Sequence, residues 1–303
     1  MFRKATINDL EEITALYMAV HTEEEAGRMS TGWIRSVYPT RQTVESALKA
    51  DDLFTEVVDG KIVAVGRINQ EQVDVYKDVN WEFEVSDKQI MVLHTLAVHP
   101  EEQGKGYASA FCDFYEKYAL EQGCNYLRID TNEKNKNARR LYKKLGYKEV
   151  GIVPCIFNGI EGVPLVCLEK RIEGLNAKDL ELIEAARNAI IPNYDDVDYL
   201  HTVGAALLTG SGKIYTGVNV YSLHGTCAEQ VALGCAITNE EREFLTVVAV
   251  RGKQGEEILP PCGNCSQILG DYAPGCEVIL SEKNKGKKLL AKELLPFAYK
   301  VIV

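Results

Sequence analysis

The spacing of apolar residues changes rhythm along the chain, and the changes mark its elements. NDLEEITALYMAV repeats apolar positions at the interval of an amphipathic helix. LFTEVV and KIVAVGRI read as strands joined at Asp59-Gly60, and QIMVLHTLAV as a longer strand. A glycine turn, the helix ASAFCDFYEKYALEQ, the strand YLRIDT, the helix NARRLYKKLG and the strand PLVCLEKRI complete this half.

EGLNAK breaks the periodicity and is read as a linker over residues 173–178, between a first domain, 1–172, and a second, 179–303. The second opens with the helix DLELIEAARNAI and the hairpin VGAALLTGSGKIYTGVNV, turning at Gly210-Ser211-Gly212. The helix CAEQVALGCAI, the strand FLTVVAV, the helix CSQILGDY and the strand CEVILS then alternate. That order implies an α/β protein in which helices cover a mixed sheet. No internal repeat or low-complexity tract interrupts it.

Composition fits this picture: 303 residues with 46% hydrophobic side chains supply core for two soluble domains. MFRKATINDLEE turns acidic where a secretory signal is apolar, and no apolar run is long enough to cross a bilayer. A cytoplasmic setting without membrane partners is therefore expected, with the nine cysteines as thiols or metal ligands. The net charge of −10 divides evenly, −5 over residues 1–172 and −5 over residues 173–303. Neither half concentrates the basic surface that nucleic acid requires, so the expected partners are small molecules.

PCGNC, Pro261 to Cys265, suits a redox couple, half of a structural zinc knot, or part of a catalytic metal site. Upstream, TCAEQ supplies Cys227, with Glu229 two residues on, and 34 residues separate Cys227 from Cys262. Both cysteine groups fall at helix starts, where free N–H groups and the positive dipole end favour thiolates. Three converging cysteines leave a fourth tetrahedral position open on zinc, as catalytic sites do, and Glu229 offers a carboxylate that is not a ligand. A structural knot would need a fourth ligand, for which His224 is the nearest candidate. A redox pair would want a thioredoxin-like unit around it. Cys112, Cys124, Cys155, Cys167, Cys235 and Cys276 are expected as core thiols.

The ordered combination of hairpin, CAE and PCGNC resembles the zinc-dependent cytidine deaminases over most of residues 179–303. GVNVY, CAE, PCGNC and ELLPFAY follow in the order of the blasticidin-S deaminases within that family. The resemblance implies an α/β/α sandwich, zinc on Cys227, Cys262 and Cys265, and Glu229 as proton shuttle in hydrolytic deamination of an aminopyrimidine. It also implies a homo-oligomer, tetramer or dimer, built through this half. Where cytidine deaminases carry N-x-E for the ribose hydroxyls, this chain has Asn219-Val220-Tyr221. Tyr221 and Tyr299 match tyrosines of the blasticidin-S deaminases, and with Asn219 they are the expected substrate-binding residues. The arginine that the family places beside its zinc thiolates is absent, with Gln230, Asn264 and Ser266 at the candidate positions. Three thiolates on zinc leave a net charge of about −1. The alternatives are an acetyltransferase whose deaminase-like half is a weak or inactive zinc-bound assembly module, and a plain cytidine deaminase.

In the first half, LAVHP leads into Gln103-Gly104-Lys105-Gly106-Tyr107-Ala108, which opens a helix. Such a turn can cradle phosphate, although turn geometry alone also calls for glycine. Followed by Asn135, Ala138 and LYKKLGY, it resembles the GNAT family of acetyl-CoA-dependent N-acyltransferases across residues 1–172. The resemblance implies the GNAT fold, a mixed central sheet flanked by helices. It assigns acetyl-CoA to Leu96, Val98 and the turn Gln103 to Ala108, with Asn135 on the pantetheine arm and Tyr142 protonating the leaving thiolate. His94 is either a candidate base or a structural residue of the central strand, and TGWIRSVYPT, near the family's acceptor side, either contacts the acceptor or packs its aromatics between helices. Lys134, Lys136, Arg139, Arg140, Lys143, Lys144 and Lys148 either meet the cofactor's ribose phosphate or form a solvated helix face. The whole reads as a bifunctional acetyltransferase and deaminase. Blasticidin-like nucleosides carry an aminopyrimidine and a free amine on one molecule.

Overall fold

In chain order the first elements are β1 (Phe2–Lys4), α1 (Leu10–Glu25), α2 (Arg41–Ala50), β2 (Leu53–Val58), β3 (Lys61–Asn69), β4 (Ile90–Val98) and α3 (Tyr107–Glu121). Then come β5 (Tyr126–Asn132), α4 (Lys136–Lys144), β6 (Lys148–Phe157) and β7 (Ile160–Arg171). Their strands form a seven-stranded mixed sheet in the order β1-β2-β3-β4-β5-β7-β6. The coordinates are a computed structural model that describes residues 1–282 and 285–299. The chain divides into two units, one of Met1–Glu82, Ile90–Ala119 and Cys124–Ile172, the other of Phe83–Gln89, Leu120–Gly123 and Glu173–Val303.

Alternation along the strands sends side chains to both faces of the first sheet. Phe54, Ala64, Met91, Leu93 and Leu127 pack with Phe111, Cys112 and Tyr115 of α3 and Tyr142 of α4. Leu53, Ile62, Val65 and Ala97 pack on the other face with Ile13, Leu16 and Tyr17 of α1 and Val44 and Ala47 of α2. Each large side chain so buried contributes about 1.5–3 kcal/mol. Strand β4 runs parallel to β5, paired from Ile90↔Tyr126 to Leu93↔Ile129. On its other side a bulge sets Thr95 and Leu96 against Gly66 of β3, with Thr95 at φ 54°. The ladder to β5 therefore stops where the bulge bends β4, and the space opened there becomes a cavity.

The second unit holds α5 (Ala177–Ile190), β8 (Val203–Thr209), β9 (Ile214–Val218), α6 (Ala228–Thr238), β10 (Phe244–Arg251), β11 (Glu257–Leu259), α7 (Gly263–Tyr272), β12 (Glu277–Glu282) and β13 (Lys285–Leu290). The sheet order is β13-β12-β10-β8-β9, with β11 on β10 and, among the described residues, only β10 and β12 parallel. Ala205, Leu207, Val247 and Ala249 face α6 and α7, while Ala206, Val248 and Val250 face α5. Helix α5 begins inside the expected linker, because Asn176 and Asp179 cap it reciprocally at 2.9 and 3.0 Å.

Helix α2 and strands β1, β6, β11 and β13 are absent from the elements that periodicity predicts. Not all six remaining cysteines are core thiols either. Cys235 is exposed on the outer side of α6, whose buried positions are Ala228, Glu229, Ala232, Leu233 and Ala236, and Cys155 is half-buried on the edge strand β6. Among the described residues no helix is long and apolar enough to cross a membrane.

Candidate active sites

In the second unit, Cys227 caps the N-terminus of α6 and Cys262 that of α7, both with extended backbone, and Cys265 lies in the first turn of α7. The three Sγ atoms lie within 4.8 Å of one another, and those of Cys227 and Cys262 are 3.6 Å apart. Sulfurs on a tetrahedral zinc, at about 2.3 Å each, stand roughly 3.8 Å apart, so the set fits that ion. No fourth histidine, cysteine or carboxylate joins them among the described residues, which leaves a structural knot one ligand short. His224 stands exposed on the wall of the adjoining cavity.

Glu229, in the first turn of α6, is 6% exposed and lines the same cavity, and burial raises its pKa. A glycine in β9 sets the helix close. A Cβ on Gly217 would lie 2.5 Å from Ala228 O and Ala232 N, so only glycine lets α6 approach the sheet there.

The substrate-binding expectations fare unevenly. Asn219 and Tyr221 line the cavity. The Asn219 amide is committed elsewhere, its Oδ1 accepting the N–H groups of Thr202 and Val203 at 2.8 Å and its Nδ2 donating to Leu200 O at 3.2 Å. These contacts tie the amide to residues 200–203, with its oxygen filled by two donors and one of its two N–H groups spent. Tyr299 does not reach the wall. It is 78% exposed, with its carbonyl accepting from Gln267.

In the first unit two cavities meet. One is lined by Leu96, Val98, Gln103, Gly104, Gly106, Tyr107, Ala108, Asn135 and Tyr142, gathering the expected cofactor residues except Lys105, which pairs with Glu102 at 2.7 Å. Gly104 and Gly106 have φ of 79° and 92°, and nothing stands within 4 Å of either Cβ position. The backbone demands glycine and the space before it is open, which fits a phosphate at the start of α3. Asn135 caps α4 through its Oδ1, leaving its NH2 outside the cap. Of the basic run, Lys144 reaches this cavity, whereas Lys136, Arg139, Arg140, Lys143 and Lys148 line a separate surface hollow.

The second cavity lies where β4 and β5 part, and Thr31, Gly32, Trp33 and Tyr38 of the TGWIRSVYPT segment line it. The two share Thr31, Trp33, Leu96, Asn135, Ala138 and Tyr142. Its least expected member is Asp130, at the end of β5, which no motif singles out. Tyr76 Oη donates to Asp130 at 2.8 Å, and burial pushes the carboxyl up to about 6. His94 also lines this cavity, its Nε2 3.0 Å from Asn69 Oδ1, and burial with the nearby Arg67 charge pushes it down to about 4. Arg67 itself is paired with Asp52 and Glu71, each at 2.9 Å. Burial raises the Tyr142 phenol well above its ordinary value.

Comparison with known proteins assigns each unit. Residues 15–147 match the acetyltransferase (GNAT) family, and residues 178–279 match the cytidine and deoxycytidylate deaminase zinc-binding region. A blasticidin-S deaminase of Bacillus cereus is 37% identical over 134 residues, 41% of this chain and 94% of that protein. A probable cytidine deaminase of Dictyostelium discoideum is 38% identical over 110 residues, 34% of this chain and 73% of that protein. An uncharacterized N-acetyltransferase of Methanocaldococcus jannaschii is 24% identical over 157 residues, 50% of this chain and 62% of that protein. The chain belongs to the cytidine deaminase family through its second unit, and its first is a GNAT acetyltransferase domain.

Proposed function

We propose that the chain is a bifunctional enzyme, an acetyl-CoA-dependent N-acetyltransferase and a zinc-dependent deaminase of a cytosine-containing nucleoside or blasticidin-like compound. The observation that carries the second activity is the convergence of three sulfurs beside the buried Glu229 on the wall of an open cavity. Cys227, Cys262 and Cys265 would hold zinc, which when bound would supply an acidified water as the nucleophile. Glu229 carries a proton to the pyrimidine ring nitrogen and then to the departing amino nitrogen, so that water's oxygen replaces ammonia on the ring. The committed Asn219 amide and the tyrosine in place of the family's glutamate favour a compound other than a plain riboside. A blasticidin-like nucleoside presents both reactive groups.

In the first unit, acetyl-CoA held by Leu96, Val98, Asn135 and the turn at Gly104 and Gly106 supplies the acetyl thioester. Asp130 faces the acceptor side as the group that takes the amine's proton, and Tyr142, kept protonated by burial, donates to the leaving thiolate. Exposed Val220, Tyr221, Leu223 and Phe297 on the second unit support self-association through it.

The direct test is an ultraviolet screen of cytidine, deoxycytidine, cytosine and blasticidin S, with mass analysis after acetyl-CoA is added. Faster deamination of blasticidin S and an added acetyl mass on its product are expected. Equal rates with cytidine and no acetylated product would remove the shared-substrate reading. Metal analysis should find about one zinc per chain, and Cys262→Ala should lose it; undiminished zinc in that variant refutes the ligand set. Gly106→Val should weaken acetyl-CoA binding at least tenfold by calorimetry, because a β-branched residue is strained at φ 92°. Unchanged affinity would mean the turn does not hold the cofactor.

A further inference from the structure

Of the three sulfurs, Cys265 is the most enclosed, only 1% exposed, while Cys262 is exposed and Cys227 intermediate. A thiolate shut away from water needs a protein donor. Cys262 has one in the backbone N–H of Cys265, 3.4 Å from its Sγ. The donor on Cys265 is Gln230 Nε2, also at 3.4 Å. The other end of the same amide accepts from the Thr226 hydroxyl at 3.0 Å. The sulfur fixes the amide's orientation: a thiolate only accepts, so it takes the NH2 and leaves Oε1 to accept from the Thr226 hydroxyl. Thr226 and Gln230 are four residues apart across the start of α6, so the helix start that places Cys227 and Glu229 also places this chain.

We propose that Thr226 and Gln230 form a neutral positioning relay for the metal site, Gln230 holding the Cys265 sulfur by a hydrogen bond where relatives place an arginine. The inference rests on the zinc reading of the thiols. Gln230 acts through Cys265 and does not touch substrate. It orients the sulfur and tempers its charge without adding a cation, so the three-thiolate site keeps its negative charge. Groups that orient metal ligands in this way typically change metal affinity by about 10- to 100-fold when removed.

The test uses the full-length chain, first with zinc in competition against a chromophoric chelator, then with cobalt(II), whose sulfur-to-metal absorption reports the thiolates directly. Gln230→Leu should bind zinc about 10- to 100-fold more weakly and shift the cobalt–thiolate band. Thr226→Val, which leaves Gln230 in place but frees its amide, should show a smaller loss in the same direction. Gln230→Arg should restore the affinity. Wild-type affinity and an unshifted band in both Gln230→Leu and Thr226→Val would overturn the relay while leaving the zinc site standing. A wild-type chain that takes up neither metal, or a Cys262→Ala variant that still does, overturns the zinc reading and the relay with it.

Discussion

Glu229→Gln is expected to lower deamination by about 10²- to 10⁴-fold while the chain keeps its zinc. The variant preserves the side chain's shape in a position that is 6% exposed, so packing around α6 should persist. What disappears is the ability to accept and return a proton. The carboxyl sits in the first turn of the helix that begins at Cys227, and burial raises its pKa, which eases protonation during the cycle. Parallel metal analysis and absorbance assays separate the two functions. A variant that retains activity would show the proton passing through another group, and one that loses zinc would make Glu229 part of the metal site's framework.

Asp130→Asn should depress acetyl transfer by a similar factor, about 10²- to 10⁴-fold, with acetyl-CoA binding retained. The pH dependence identifies the group. Burial raises the Asp130 carboxyl to about 6, so it is ionised and able to take a proton above that pH and is progressively disabled below it. The wild-type profile should fall on the acid side through about 6, and the fall should vanish in the variant. His94 faces the same cavity but titrates near 4, Arg67 is held in ion pairs with Asp52 and Glu71, and Tyr76 and Tyr38 stay protonated, their pKa values raised by burial. An acid limb near 4 would transfer the role to His94. Because folding raises this carboxyl's pKa, its contribution to stability is lost as pH rises through about 6. The neutral asparagine should not lower the melting temperature above that pH, which distinguishes loss of catalysis from loss of fold.

The metal-site candidates were legible because their geometry is local. Cysteines at two helix N-caps, with a glutamate one turn in, appear in the sequence as CAE and PCGNC. The glycine turn was legible for the same reason, since positive φ at Gly104 and Gly106 leaves little choice of residue. Asp130 left no such trace, because one carboxylate at a strand end becomes special only when β4 bends away and Tyr76 arrives from another segment. Asn219 matched a binding motif, yet tertiary contacts with residues 200–203 claim its amide. In the fold, α2 escaped because Val44 and Ala47 are its only buried residues. Strand β6 escaped because Gly151 and Pro154 read as turn signals, which an edge strand tolerates.

The six residues shared by the two cavities of the first unit make a junction between passages, with Tyr142 standing in both. On the proposed reading, a thioester lodged in one and an amine lodged in the other would meet at this junction, and the acetyl group would cross directly between two resident molecules without a protein residue carrying it.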